Sequence, residues 1–404
     1  MPEIAEILKH NLVGKMINHG CVFFINVLIV RILGSDVSGY FFNELYLFNF
    51  IAFIASMGLD YAAIRYFGED SSLLRSINRK LLWVAGIGSV IFVLIALFIS
   101  TVSITGRVTH AFAGVLFCSG NLLMILYQGV LSARKQFNLQ NIILGISNFV
   151  YLLLLFYLYI EGKAPGINFL ATSYAVLFLV QGIFMMLFSF RNEPATEKMI
   201  SLSPMIRHGI WIMFSSIIYF AFLRVDNFFV EKYAHDGSLG SYVQCGKIGQ
   251  YFLYFSSIIS STILPFIRSE HISVSFSQWK KLMKPYIGIL LLTAGVIAIT
   301  GPWAFPLLFG PGFQNMHQLM WIFLPGFFCL GLLTLMNAVY IGNNRVKRIF
   351  TGDALGLLLV LVFDALLVPQ YGSKAAAWVS SISYVLVFLY LLSGFKKNFS
   401  YSMK

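Results

Sequence analysis

The chain has 404 residues, is 58% hydrophobic and only 11% charged, and has a mean hydropathy of +0.81. Soluble domains carry charge on about a quarter of their residues, so that class is excluded and an integral membrane protein with many spans remains. A net charge of +12 would suggest nucleic acid in a soluble protein; here basic loops between spans absorb it, and no nucleic-acid partner is expected.

Twelve apolar segments follow in chain order: 12–32, 40–66, 81–101, 110–132, 139–160, 168–190, 207–231, 241–267, 285–303, 317–341, 349–368 and 374–395. Each has about 20 residues or more, enough for a tilted crossing. The lead MPEIAEILKHNLVGK is amphipathic and lacks the form of a cleavable signal, so the first segment is expected to remain as a span. Cys21, Cys118, Cys245 and Cys329 all lie in apolar runs without CxxC spacing, and read as small hydrophobes rather than disulfides or metal ligands.

Lys and Arg set the orientation. One series of segment ends holds only Arg31, Arg107, Lys163, Lys232 and Lys374; Arg65, Arg224 and Lys247 fall inside segments, and the rest of the 28 crowd the opposite ends. The positive-inside rule then puts both termini in the cytoplasm. A miscounted span would invert every later loop and spoil this alternation.

The polar connection 191–206 (RNEPATEKMISLSPMI) divides the chain into a six-span half at 1–190 and another at 207–404. Three features recur in register. GNLLMILYQGVLSAR (120–134) matches GLLTLMNAVYIGNNR (331–345), Gly166 and Ala171 match Gly372 and Ala377, and Ser38-Gly39-Tyr40 matches Leu239-Gly240-Ser241-Tyr242. The expected fold is therefore all-α and integral to the membrane. It has twelve transmembrane helices in two parallel-repeat six-helix bundles around a central cavity, near the bilayer midplane.

The seventh span, 207–231, draws attention because it carries Arg224 and Asp226. A charge at the centre of a span costs roughly 2.5–3.5 kcal/mol, so it persists only when it faces a partner or a wet cavity. Two residues apart on a helix point about 200° from each other, so this is no simple pair and at least one group needs partners elsewhere. Asn26, Asn49, Gln128, Asn148, Gln181, Asn227, Gln244 and Gln250 also fall in spans and read as interhelix hydrogen-bond formers.

Several stretches carry a family pattern. RILGSDVSGYFFNELYLFNFIAFIASMGLDYAAIRYF (31–67) contains Arg-x-Leu-Gly, Gly-Tyr and Gly-Leu-Asp, and 223–266 contains an Arg-x-Asp helix, a Gly-x-Tyr turn and a terminal Pro. FPLLFGPGFQ (305–314), LPGFF (324–328) and VPQYGSKAAAW (368–378) add a C-terminal set, although Lys374 and Ala375 depart from the usual glycine neighbourhood. Together they resemble polysaccharide, O-antigen-type flippases of the multidrug/oligosaccharidyl-lipid/polysaccharide exporter superfamily. That resemblance implies movement of undecaprenyl-pyrophosphate-linked oligosaccharide units across the bacterial cytoplasmic (inner) membrane. It further implies membrane lipids and other glycan-assembly membrane proteins as partners. Peptidoglycan-precursor flippases usually carry two further C-terminal spans, so twelve favour the O-antigen or capsule branch.

For such a substrate the pyrophosphate needs cations while the tail stays in lipid. Arg31, Arg65, Arg224 and Lys247 are the candidates, Arg as a bidentate grip and Lys as a point charge. Glu44, Asp60, Asp226 and Asp364 are read as balancing those charges or coupling transport to H⁺ or Na⁺. Asp353 reads as a solvated cap near the cytoplasmic end. Neither a GxxxxGK[ST] loop nor an HExxH motif occurs in the chain. No cofactor is expected, and the chain does not read as an enzyme. Two rivals stand beside the flippase: a cation-coupled multidrug exporter of the same superfamily, and a membrane polysaccharide polymerase, which would have a long outer loop with paired basic residues.

Overall fold

The structure is a computed structural model that describes residues 2–69, 71–102, 111–162, 165–191, 199, 201–234, 238–269, 276–342 and 345–399. Residues 192–198 and 200 of the predicted connection, and the outer-loop cations Arg107 and Lys163, lie outside them. Regular structure among the described residues is helical. In order come α1 (Pro2–Leu33), α2 (Ser35–Ser56), α3 (Leu59–Glu69), α4 (Leu74–Val102), α5 (Ala111–Ala133), α6 (Phe137–Ile160), α7 (Ile167–Phe190), α8 (Leu202–Tyr233), α9 (Leu239–Ser269), α10 (Phe276–Phe309), α11 (Met316–Gly342) and α12 (Val346–Phe399).

Ten of these helices are long and apolar enough to cross a membrane. One of them, the 49-residue stretch Lys347–Phe395 of α12, runs for roughly 74 Å, more than twice the hydrocarbon core. It is broken at Gly372, whose φ of 62° and ψ of −151° suit glycine alone, so α12 supplies two crossings. The break falls within the predicted gap between 368 and 374. With α9, whose 31 residues have the required length, this makes twelve. The helices leave large apolar side chains outside: Trp83, Trp211, Phe112 and Ile299 are all more than two-thirds exposed. Water would not tolerate such a surface, whereas lipid is its natural solvent.

The second span departs from expectation. It begins at Ser35 and is broken after Ser56, so the predicted continuous 40–66 is two helices. Met57 and Gly58 both have positive φ, 52° and 65°. The Ser56 hydroxyl donates to Phe53 O at 2.8 Å and accepts the Gly58 amide, which satisfies the interrupted ladder. A Cβ at Gly58 would collide with the Gly209 carbonyl at the start of α8, so glycine is required for packing as well as for conformation.

The described chain forms two compact units: 1–33 with 44–217, and 34–43 with 218–404. In the first, α5 lies along α7, α1 along α6, and α3 and α4 on α5. Leu59, Leu81, Leu122, Leu126, Tyr127 and Met185 form its core. Asn148 donates to Asn18 at 2.6 Å and Gln181 to Asn148 at 2.9 Å, which ties α1, α6 and α7 together. Asn121 donates to Asn49 at 2.6 Å, linking α5 to α2. Asn49, Asn148 and Gln181 act as interhelix bonds, as their placement in spans predicts, whereas Asn227 Nδ2 and Gln244 Nε2 have no hydrogen-bond partner among the described residues.

In the second unit α11 packs against α9, α10 and α12. The first turns of α2 belong here too. A Cβ on Gly39 would stand 2.7 Å from the Gly240 amide nitrogen, and one on Gly240 would collide with the Ser35 carbonyl. The two glycine turns matched by internal similarity therefore lie backbone against backbone. Asn43 adds a hydrogen bond to the Glu231 carboxylate of α8.

This contact gives a direct test. Gly240→Ala is expected to destabilise the protein by about 1–3 kcal/mol through overpacking, read as a lower melting temperature in detergent. Gly86→Ala, whose Cβ would meet nothing within 4 Å, is expected to leave melting unchanged or slightly raised. Equal behaviour of the two variants would contradict the crossing.

Candidate functional site

Four of the eight charged residues singled out in the sequence gather in the second unit. On α8, Arg224, Asp226 and Asn227 are all buried. Asp226 takes its partners from other helices, as the angular argument requires. Its Oδ2 accepts the Tyr242 hydroxyl of α9 at 2.6 Å and the Ser380 hydroxyl of α12 at 2.8 Å. Oδ1 accepts the Asn227 amide at 2.9 Å. Three donors to one carboxylate offset much of the cost of removing it from water.

The guanidinium of Arg224 runs across Gly246 of α9, where a Cβ would stand 2.9 Å from Nη1. Three residues on, a Cβ at Gly249 would collide with the Phe327 ring of α11. Glycines at that spacing leave one face of α9 bare, and the Arg224 and Phe327 side chains fill it. Between them lies a cavity of about 20 Å³, lined by Arg224, Asp226, Asn227, Gln250, Phe323 and Phe327 among others. That is room for one water molecule or a small cation, and far too little for a pyrophosphate.

Asp364 of α12 is fully buried within electrostatic reach of Asp226 and Tyr242, and neither carboxyl oxygen has a hydrogen-bond partner among the described residues. Asn227 Nδ2 is likewise unpartnered. Two carboxyl groups with hydroxyl neighbours form an oxygen-rich set of the kind that protons and hard cations prefer. Lys247 of α9 is half-buried on the edge of this cluster, within reach of Arg224, with Nζ 2.8 Å from the centroid of the Phe42 ring.

The remaining four belong to the first unit and have local roles there. Arg31 donates to the Tyr159 hydroxyl of α6 at 2.8 Å. Arg65 is exposed and bonds His208 at 2.9 Å. Asp60 sits in the first turn of α3, the favoured place for an acid at a helix start, with Oδ1 lacking a hydrogen-bond partner among the described residues. Glu44 is half-buried on α2.

Asp353 corrects its reading as a solvated cap. It is only 2% exposed, with Oδ1 unpartnered, because α12 begins at Val346 and so carries it two turns inside. Ser380, Tyr384 and Glu231 were not singled out by sequence reasoning. Ser380 and Tyr384 lie one helical turn apart on a face of α12, a spacing that small polar residues share with many structural serines.

The fold also recurs in proteins of known structure. A structure of the lipid II flippase MurJ in an inward closed conformation matches with a TM-score of 0.73 at 14% identity, covering 96% of this chain and 87% of that one. An inward-facing multidrug resistance MATE family transporter of the MOP superfamily gives 0.69 at 11% identity, covering 97% and 99%. The MATE transporter VcmN of Vibrio cholerae gives 0.67 at 14% identity, covering 98% of each chain. At these identities the likeness establishes the fold: a multi-pass helical membrane architecture shared by transporters and a flippase. No curated protein matches the chain. A family model described as polysaccharide biosynthesis protein matches residues 10–271, well over half of the length. The chain belongs to that polysaccharide biosynthesis family of membrane proteins.

Proposed function

We propose that the protein is a flippase that moves undecaprenyl-pyrophosphate-linked oligosaccharide repeat units across the bacterial inner membrane for O-antigen or capsule assembly. Both termini are cytoplasmic, and the halves 1–190 and 207–404 alternate access through the connection 191–206. The observation that carries this reading is the pair of cations, Arg224 buried and Lys247 half-buried, inside a helical unit of a family member. Cations held at membrane depth are costly and mark a substrate path by default.

The 20 Å³ cavity admits no pyrophosphate, so the phosphate contact belongs to another conformation, in which Arg224 and Lys247 turn to the head group. Of the two, Lys247 is the more open, and it approaches a phosphate as a point charge. Arg31 and Arg65 are placed to meet the head group at the outer and inner ends of its passage. The oxygen set at Asp226 and Asp364 then serves as the coupling site for H⁺ or Na⁺, with Asp60 and Glu44 balancing charge in the first unit. A cation-coupled drug exporter is the second reading, favoured by the MATE likeness of the fold. The mixed charges here, with basic members prominent, fit an anionic head better than a cationic drug.

Two experiments follow. In a strain lacking this gene, Arg224→Ala and Lys247→Ala are expected to abolish surface glycan while the proteins still insert, with lipid-linked units building up on the cytoplasmic leaflet. Normal complementation by both variants would contradict the phosphate role, and a change confined to drug sensitivity would favour the exporter. In proteoliposomes, Asp364→Asn is expected to remove any dependence of flipping on an imposed H⁺ or Na⁺ gradient while leaving slow, gradient-independent exchange. Wild-type gradient dependence in that variant would sink the coupling assignment.

A further inference from the structure

The first segment of α12 carries two buried carboxyl groups on one face. Asp353 and Asp364 are separated by three turns, which puts them within about 20° of the same direction and about 16 Å apart along the axis. Close to Asp353 along α12, Gly356 leaves room for the Phe222 ring and the Val387 side chain to pack against the bare helix backbone. Asp353 itself is 2% exposed, with one oxygen cut off from every donor, and no ion pair to it forms among the described residues. A carboxylate buried without a counter-ion is costly, and nothing in the packing repays it.

Its surroundings lead toward Asp364. Tyr219 of α8 is within electrostatic reach of both Asp353 and Arg224. Tyr384 of α12 is within reach of both Tyr219 and Asp226. Tyr219 and Tyr384 are thus exchangeable groups in the same part of the second unit as the two acids. Toward the start of α12 lie Lys347 and Arg348, the latter stacked on Tyr390 with its guanidinium carbon 4.8 Å from the ring centroid. From α11 no Asp, Glu, Lys or Arg faces it, because α11 contains none.

We propose that Asp353 is a proton-binding site that connects the Asp226–Asp364 pair to the basic, Arg345–Arg348 end of α12 through the interior of the second unit. A proton taken up by the Asp353 carboxylate makes it the neutral acid, and a tyrosine that passes a proton on takes one at its oxygen as its own O–H proton leaves toward the next acceptor, so charge and atoms balance at each step. The role of the inner pair rests on the coupling reading above; the binding of a proton at Asp353 does not.

The full-length protein in lipid tests this by infrared spectroscopy, with the proton itself as probe. Titration of the wild type is expected to show a protonated-carboxyl stretch that is missing in Asp353→Asn and shifted in frequency in Asp353→Glu. The glutamate variant keeps the test open should asparagine prevent folding. In proteoliposomes with a trapped pH dye, Asp353→Asn is expected to slow proton uptake at least tenfold, and Asp353→Glu to retain it. An unchanged carboxyl band, or wild-type uptake in Asp353→Asn, would overturn the proposal. If Asp364→Asn alone showed wild-type uptake, the coupling reading would fall while the infrared band still decided the fate of Asp353.

Discussion

A carboxylate that has left water must be met by donors fixed in place, and Asp226 organises the second unit by that demand. Tyr242 reaches it from α9 and Ser380 from α12, a residue 154 positions away in the chain. Each bond is worth more in this low-dielectric setting than at a surface, and the loss of any one leaves an unsatisfied polar group. The glycines of α9 serve the same cluster, since a bare helix face admits the Arg224 guanidinium over Gly246. Packing, here, is subordinate to charge.

The extent to which this could be read from sequence follows from the physics of each feature. Spans were legible because lipid imposes a simple length and polarity rule. Arg224, Asp226, Lys247 and Asp364 were legible as exceptions to that rule. Tyr242, Ser380 and Tyr384 were not, because a serine or tyrosine in a span satisfies the rule whether or not it touches a carboxylate. The break at Met57-Gly58 was hidden for another reason: two residues interrupt the ladder without interrupting the apolar run. Asp353 was misread because a short sequence distance from the loop does not reveal how deeply the helix start is covered.

The position of the outer turns of α2 shows how small residues extend the design. Ser35–Asn43 packs with the second unit, through Gly39 on Gly240, Ser35 beside Gly312 and Asn43 on Glu231. In lipid there is no hydrophobic force to press helices together, so backbones that approach closely gain dispersion and polar contacts instead. The Phe42 ring, carried by the same turns, receives the Lys247 ammonium and holds it in a partly open position.

Whether that charge serves the substrate is open to one direct measurement: the affinity of the purified protein for undecaprenyl pyrophosphate in nanodiscs, wild type against Lys247→Gln. If a fixed cation receives the head group, the dissociation constant rises about tenfold or more, a difference of roughly 1.4 kcal/mol, and its dependence on salt weakens. Identical affinity and identical salt dependence in the two proteins would contradict the account.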